Sequence, residues 1–353
     1  MTELSYTIEI AAELEGHDDR AWHVAWNPTK PLIASCSADK SVRLYSYSKS
    51  SESTSPSFSY LTTIPTGHTK TVRAIAWSPS GQVLATASFD ANIGIWEQEP
   101  DDQGNPSGEW ECASLLEGHE TECKSVAYSS SGTLLASCSR DKTVWVWEVQ
   151  PDSDFECMGV LMEHSQDVKC VAWHPNEEIL ASGSYDDTIK LYIDDPQDDW
   201  YCFTTLNGHQ STVWSIAWSP NGRYLASASD DKTVRIWKRV TEYEFKCVLV
   251  LEGQHDRSVY SISWGVGNGQ GEGYLGWMAT GGGDGVIRVW ELTDNAASPN
   301  DPPTHKLIAS LPSAHGVHDI NTVVWCPRKG LEHLLATAGD DGVAKVWSVI
   351  RRS

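Results

Sequence analysis

The sequence predicts an all-β, seven-bladed β-propeller whose ring is closed by its N-terminal strand. Three observations carry this. A block of the form Gly67 to Trp96 recurs seven times. An Asp anchors each copy (Asp39, Asp90, Asp141, Asp186, Asp231, Asp284 and Asp341), at steps of 51, 51, 45, 45, 53 and 57 residues. Each copy opens on or near a Gly-His pair and ends on an aromatic. A repeat of this length with those ends marks blades of four short strands that cannot bury their faces alone and so stack into a ring.

The blades start near Gly16, Gly67, Gly118, Glu163, Gly208, Gly253 and Ala314, and the 353 residues read as one propeller domain. His17, His68, His119, His164 and His209 each lie 22 residues before their Asp. His255 lies 29 before and His315 lies 26 before, because GVGNGQGEG and PRKGLEH insert loops. A hydroxyl stands four residues before each Asp: Ser35, Thr86, Ser137, Ser182, Ser227, Thr280 and Thr337. An aromatic stands six after: Tyr45, Trp96, Trp147, Tyr192, Trp237, Trp290 and Trp347.

Within a copy the first three strands read at period two: Val-x-x-Ile/Val-Ala-Trp, then Leu-Ala-Ser/Thr, then Thr-Val-x-Ile-Trp. Ser78 to Gly81, His174 to Asn176 and Ser219 to Gly222 mark turns between the first and second strands. The outer strand has its own echo, Cys112, Cys157, Cys202 and Cys247, each two residues after Trp110, Phe155, Trp200 or Phe245. Residues 4–14 are strand-like and supply the fourth strand of the last blade, which removes an exposed sheet edge.

His, Ser/Thr and Asp together invite comparison with a hydrolytic triad. Seven copies in seven blades cannot all be active sites, and no copy sits in a G-x-S-x-G elbow. The tetrads, such as His68, Thr86, Asp90 and Trp96, His119, Ser137, Asp141 and Trp147, or His209, Ser227, Asp231 and Trp237, therefore read as structural networks. In these the Asp accepts from His and turn amides, the His from the hydroxyl, and the hydroxyl from the indole N–H. No catalytic residue is assigned, and the remaining His23, His174, His305, His318 and His333 are scattered.

Net charge is −22, which excludes nucleic-acid binding through the bulk field. The acid concentrates in loops: Asp101-Asp102, Asp152 to Glu156 and Asp194 to Asp199, read as solvated; Ser50 to Ser57 is a Ser-rich loop. No apolar run spans a membrane and no signal peptide opens the chain, so a cytoplasmic or nuclear location is expected. The nine cysteines contain no C-x-x-C and fall largely on strands, so reduced strand residues are expected, with no metal site and no cofactor.

Two positions per repeat should face the narrow end of the propeller. One lies four residues before the first-strand aromatic: Trp22, Arg73, Lys124, Lys169, Trp214, Tyr260 and Asn321. The other precedes the tetrad Asp: Ala38, Phe89, Arg140, Tyr185, Asp230, Gly283 and Asp340. Arg73, Lys124, Arg140 and Lys169, with Phe89, Tyr185, Trp214, Tyr260 and Trp22, make a cationic, aromatic-walled rim on an acidic protein. That composition suits capture of an acidic peptide carrying an aromatic, by its terminal carboxylate. The opposing reading is that these side chains fill the channel mouth or pair with Glu122, Asp167 and Asp230.

The whole pattern resembles the WD40 family, although Glu, Lys or Ser replaces the Asp of the naming dipeptide. Within it, LLEGHETECKSVAYSSSGTLLASCSRDKTVWVWE, LMEHSQDVKCVAWHP, ASGSYDDTIKLY, DDWYCFTTLNGHQSTVWSIAW and AHGVHDINTVVW resemble the WD40 proteins of cytosolic iron–sulfur protein assembly. Ser139 to Glu148 and Glu163 to Lys169 are the most specific stretches, while Ser50 to Ser57, Gly265 to Gly273 and Asn295 to Pro303 have no place in the match. The resemblance implies a non-enzymatic subunit of the cytosolic targeting complex. It would work beside a small acidic adaptor, a HEAT-repeat scaffold and a hydrogenase-like iron–sulfur protein. It would deliver clusters to cytosolic and nuclear client apoproteins, some presenting C-terminal tails that end in an aromatic. The family's important top-face arginine falls on Arg140 by its Ser-Arg-Asp-Lys context. The alternatives are a WD40 adaptor of another complex, either a ubiquitin-ligase substrate receptor or a chromatin subunit, and a propeller enzyme. The absence of an F-box, helical extension or long tail disfavours the ligase receptor. An enzyme would need a titratable cluster beyond the tetrads.

Overall fold

A computed structural model describes residues 4–48, 56–100, 106–151, 154–195, 199–294 and 301–352. The Ser-rich stretch 50–55, the pair Asp101-Asp102, residues 152–153 and 196–198 of the other acidic loops, and 295–300 lie outside the described residues. The described chain forms seven four-stranded antiparallel sheets. Blade one, for example, is β2 (Ala21–Trp26), β3 (Leu32–Ser37), β4 (Val42–Ser48) and β5 (Ser57–Ile64). Blades two to six repeat that order along the chain. The seventh is completed from both ends: β1 (Tyr6–Leu14) pairs antiparallel with β28 (Ala344–Arg351), from Tyr6↔Arg351 to Leu14↔Ala344. The N-terminal strand thus covers the edge that β28 would otherwise expose.

The second strand of each blade explains why the ring packs. β11 (Leu134–Ser139), LLASCS, is buried at every position, and its equivalents in the other blades are nearly or wholly so. Such a strand lies between two neighbouring sheets, so both of its faces are core. Small Ala, Ser and Cys side chains let the sheets approach, and Leu or Ile fills the space between them. Apolar clusters accordingly span adjacent blades: Leu134, Val146 and Leu161 of blade three pack with Val171, Trp173 and Tyr192 of blade four.

The tryptophan that ends the first strand also fastens blades together. Trp77, Trp173 and Trp218 donate their indole N–H to Ala25, Ala127 and Ala172 of the preceding blade at 3.2, 3.0 and 3.2 Å. Trp26 does the same to Val324 of blade seven at 3.1 Å, across the closure. Blade three has Tyr128 at this position, and its buried hydroxyl has no hydrogen-bond partner among the described residues.

The turn after each tetrad Asp is left-handed. Lys40, Ala91, Lys142, Asp187 and Lys232 have φ from 66 to 79°, and Gly285 and Gly342 take the same place at 66 and 77°. The tetrad carboxylate stabilises it by accepting the amide two residues on, for example Thr143 N–H to Asp141 at 2.9 Å. The four outer cysteines sit opposite the tetrad aromatics in register: Trp96↔Cys112, Trp147↔Cys157, Tyr192↔Cys202 and Trp237↔Cys247. Cys112, Cys157 and Cys247 are nevertheless exposed, because the outer strand has no sheet beyond it.

Candidate functional site at the channel mouth

One local irregularity builds the mouth. In every blade the pairing of the first with the second strand slips by one residue: between Ala21 and His23, Val72 and Ala74, Cys123 and Ser125, Val168 and Cys170, Val213 and Ser215, Val259 and Ser261, and Ile320 and Thr322. The residue skipped is Trp22, Arg73, Lys124, Lys169, Trp214, Tyr260 or Asn321. A bulge inserts an unpaired residue and re-aims its side chain. The strict period-two reading of the first strand therefore fails at this residue, and that failure turns a ring of side chains toward the axis.

A cavity of about 310 Å³ opens there, lined by all seven bulge residues together with Phe89, Arg20, Asp319 and Asp340. Seven of the nine rim residues read from sequence meet in it: Trp22, Arg73, Phe89, Lys124, Lys169, Trp214 and Tyr260. Arg140 and Tyr185 do not line it. Arg140 stands outside, its side chain 58% exposed, 3.3 Å from Glu122 and 4.0 Å from Asp167. Tyr185 is half exposed and reaches inward only as a ring 5.3 Å from the Lys169 ammonium.

Arg20 and Asp319 belong to a third ring that sequence reading left out. The residue two before each bulge accepts the backbone N–H of the residue before the tetrad Asp: Arg20 from Ala38, Glu122 from Arg140, Asp167 from Tyr185 and Asp319 from Asp340, at 2.8–3.1 Å. Their constant offset from the bulge was the available signal. This ring gives the mouth two sectors. On blades three and four Lys124 pairs with Glu122, and Lys169 with Asp167 at 3.2 Å. On blade seven Asp319 and Asp340 stand together with Arg20, whose Nε is 3.4 Å from Asp340. Burial, then the Asp340 charge, pushes the Asp319 carboxyl above its ordinary range.

Arg73 differs from its neighbours. Among the described residues its guanidinium has no ion pair; it lies over the Trp22 ring at 4.8 Å. Burial pulls its pKa down. Burial, then the Arg73 charge, lowers His23 to about 4, so this imidazole is neutral at pH 7. Lys124 is also lowered, mainly by burial and against the pull of Glu122, with Lys169 and Arg73 adding repulsion. Its ammonium lies 4.1 Å from the Phe89 ring centre, and that of Lys169 lies 5.2 Å from Trp214. The mouth thus holds a largely desolvated guanidinium that stacks on Trp22 and has no ion pair among the described residues, in a cavity also lined by Phe89, Trp214 and Tyr260. Chemically, such a setting can accept an anion attached to an apolar or aromatic body.

The tetrads are networks away from this cavity. In blade three His119 Nδ1 is 2.8 Å from Asp141, Nε2 is 2.9 Å from Ser137, and Trp147 donates to the same hydroxyl at 3.0 Å. His68, Thr86, Asp90 and Trp96 show the same contacts, as do His209, Ser227, Asp231 and Trp237. Hydrogen bonds from His119 and Thr143 hold the Asp141 carboxylate well below its ordinary range despite burial. Blade one departs from the expected chain: the Tyr45 hydroxyl donates to the Leu14 and Glu15 carbonyls, at 3.3 and 2.9 Å. In blade four the Tyr192 hydroxyl stays in the network, accepting from Ser182 at 3.2 Å. Among the described residues no group of three or more His, Cys, Asp or Glu is placed to hold a metal ion.

Residues 9–46, 58–97, 110–148, 155–192, 200–238, 245–291 and 305–348 each match the WD domain, G-beta repeat. The molecule is a WD-repeat propeller with a cationic, aromatic-walled mouth. Its relatives narrow this. It is 51% identical to the probable cytosolic iron-sulfur protein assembly protein 1 of Mycosarcoma maydis, over 97% of this chain and 93% of that protein. It is 42% identical to the protein so named in Cryptococcus neoformans, over 98% and 99% of the two chains. A probable cytosolic Fe-S cluster assembly factor of Schizosaccharomyces japonicus is 46% identical over 38% of this chain and 20% of its own length. The chain belongs to the family of WD-repeat proteins named cytosolic iron-sulfur protein assembly protein 1.

Proposed function

We propose that this protein is a non-enzymatic scaffold of cytosolic iron–sulfur protein assembly, helping to transfer clusters to apoproteins by binding partner subunits and clients. The observation that carries this is a match over nearly the whole of both chains to relatives named for that process. In this reading the cluster is cargo, and the chain supplies surfaces. Partners include the small acidic adaptor, the HEAT-repeat scaffold and the hydrogenase-like iron–sulfur protein of the targeting complex, with client apoproteins in the cytoplasm and the nucleus.

The mouth is the client surface in this reading. A chain terminus that presents a carboxylate and one aromatic side chain would place the carboxylate on Arg73 and the ring against Trp22, Phe89, Trp214 or Tyr260. Arg140, at the outer margin and already paired with Glu122, meets the acidic residues that precede the terminus. The test is a pull-down from cell extract with wild type, Arg73→Ala and Arg140→Glu, read by mass spectrometry beside melting temperatures. The reading expects wild type to retain targeting subunits and clients, and both variants to lose clients while melting as wild type does. Recovery of ligase or chromatin subunits in place of these would reject the functional assignment. Retention of clients by both variants would reject the mouth.

A further inference from the structure

Two residues before each tetrad aromatic, on the third strand, the chain carries Arg43, Gly94, Trp145, Lys190, Arg235, Arg288 and Lys345. In five blades this is a long cation lying over the outer margin. Arg288 bonds Asp284 at 2.9 Å and Lys345 lies 3.9 Å from Asp341. Lys190 donates to Thr205 at 3.0 Å. Arg43 and Arg235 pack so tightly on Gly16 and Gly208 that a Cβ there would sit 2.3 and 2.9 Å from a guanidinium nitrogen.

Blades two and three, neighbours in the ring, lack this cation. In blade two the consequence reaches the tetrad. Elsewhere the tetrad carboxylate has one further partner. It is a hydroxyl two residues on, from Ser41, Thr143, Thr188 or Thr233, or else, where Val286 or Val343 stands there, the cation. Blade two has Asn92 and Gly94. Among the described residues Asp90 takes only His68 and the Thr69 and Asn92 amides. A cavity of about 480 Å³ opens beside it, lined by Gly67, His68, Asp90, Asn92, Trp96 and Leu115 among others. No atom lies within 4 Å of where a Cβ on Gly67 would be.

In blade three Trp145 stacks on Trp147 at 5.2 Å, and a second cavity, of about 340 Å³, lies between it, Val160 and Met162. Met162 is 75% exposed, in a register position where the other blades carry Glu15, Pro65, Glu117, Asn207, Glu252 and Pro312. Leu115 is 49% exposed, and the segment from Leu115 to Glu120 runs from one cavity to the other. Exposed Glu111, Glu117, Glu120 and Glu163 surround these apolar side chains. The outer strands here, β9 (Pro106–Leu116) and β13 (Phe155–Leu161), each end their sheet.

We infer that the outer edge of blades two and three is a docking surface for an extended, basic and apolar segment of a partner protein. Its Arg or Lys fills the open space beside Gly67 against Asp90, as Arg288 does against Asp284 within this chain. Its apolar side chains cover Leu115, Trp145, Val160 and Met162, and its backbone can pair with an open strand edge. This surface is separate from the mouth and does not depend on it.

The probe is a labelled, end-capped peptide alternating Arg and Leu, its citrulline analogue, and a Glu–Leu peptide, measured by fluorescence anisotropy in physiological salt. The comparison variant is Leu115→Thr/Met162→Glu, which installs residues that blades one, four, two and five already carry at those register positions. The Arg peptide should bind wild type about tenfold more tightly than the citrulline or Glu peptide, and the variant should lose about tenfold while melting as wild type does. Hydrogen exchange should slow in β9 or β13 on binding. Equal binding by the variant, or by the citrulline peptide, overturns the inference. So does wild-type dimerisation in sedimentation that the double variant abolishes, because the occupant would then be a second copy.

Discussion

Removal of one tetrad hydroxyl should cost the ring a few kcal/mol without touching the mouth. Ser137 is fully buried and holds two groups, His119 Nε2 at 2.9 Å and the Trp147 indole at 3.0 Å. Ser137→Ala leaves both buried without a partner, at about 1–3 kcal/mol each. Partial relaxation brings the expected loss to roughly 2–4 kcal/mol. With about 2.1 cal/mol/K of unfolding entropy per residue over 353 residues, the denominator is roughly 0.7 kcal/mol/K, so the melting temperature should fall about 3–6 °C. The control is Ser137→Thr, which keeps the hydroxyl that Thr86, Thr280 and Thr337 supply in other blades. It should melt within about 1 °C of wild type. Calorimetry at pH 7 with a parallel client pull-down decides the matter. If Ser137→Ala melts with wild type, the network does not stabilise the blade. If it melts with wild type yet loses clients, the tetrad belongs to the function and not to the scaffold.

Other outcomes follow from the same geometry. Stability should fall as pH drops. Buried His68, His255 and His23 have lowered pKa values, so below about 6.5 the unfolded chain takes up protons that the folded chain refuses, at up to ~1.4 kcal/mol per pH unit for each. The depressed tetrad aspartates add a further loss below about 4, where the unfolded carboxyls protonate first. Melting between pH 7 and 4 should show both, and His23→Gln should flatten the upper part. Asp294 is buried, accepts from Tyr224 at 2.8 Å and pairs with Arg223 at 2.9 Å, joining blade six to blade five. Asp294→Ala strands the Tyr224 hydroxyl and should cost about 2–4 kcal/mol, against about 1 kcal/mol for Tyr224→Phe, by denaturant titration. Lys142 has φ of 75° in a turn where blades six and seven use glycine. Lys142→Gly should stabilise by about 0.5 kcal/mol, because relief of the left-handed strain slightly outweighs the entropy added to the unfolded chain.

The sequence by itself determined the propeller and its count of blades. A strand pair with a Gly-His start, a hydroxyl, an Asp and an aromatic at fixed offsets must bury both faces, and seven copies can do so only by stacking. The strand-like residues 4–14 ahead of the first Gly-His pair made closure legible too, and β1 pairs with β28 as that reading requires. The ring of positions at the mouth was legible because the offsets from the first-strand aromatic and from the tetrad Asp that define them are the same in every copy. Side-chain partnership was not. The bulge that turns Arg73 and Trp22 inward is a slip between two strands, and its one trace in sequence is the three-residue step from Val72 to Ile75, where strict alternation would give two. Arg140 and Arg73 read alike in sequence as cations of one rim. Tertiary structure placed Glu122 and Asp167 beside the first and, among the described residues, no ion pair on the second. Gly94 and Trp145 also read as ordinary variation within a repeat. Only when seven equivalent blades lie side by side does the missing cation show, as open space beside Gly67 in blade two and as the Trp145 ring on Gly118 in blade three, because the energy of a charge depends on what faces it across space and not on its place in the chain.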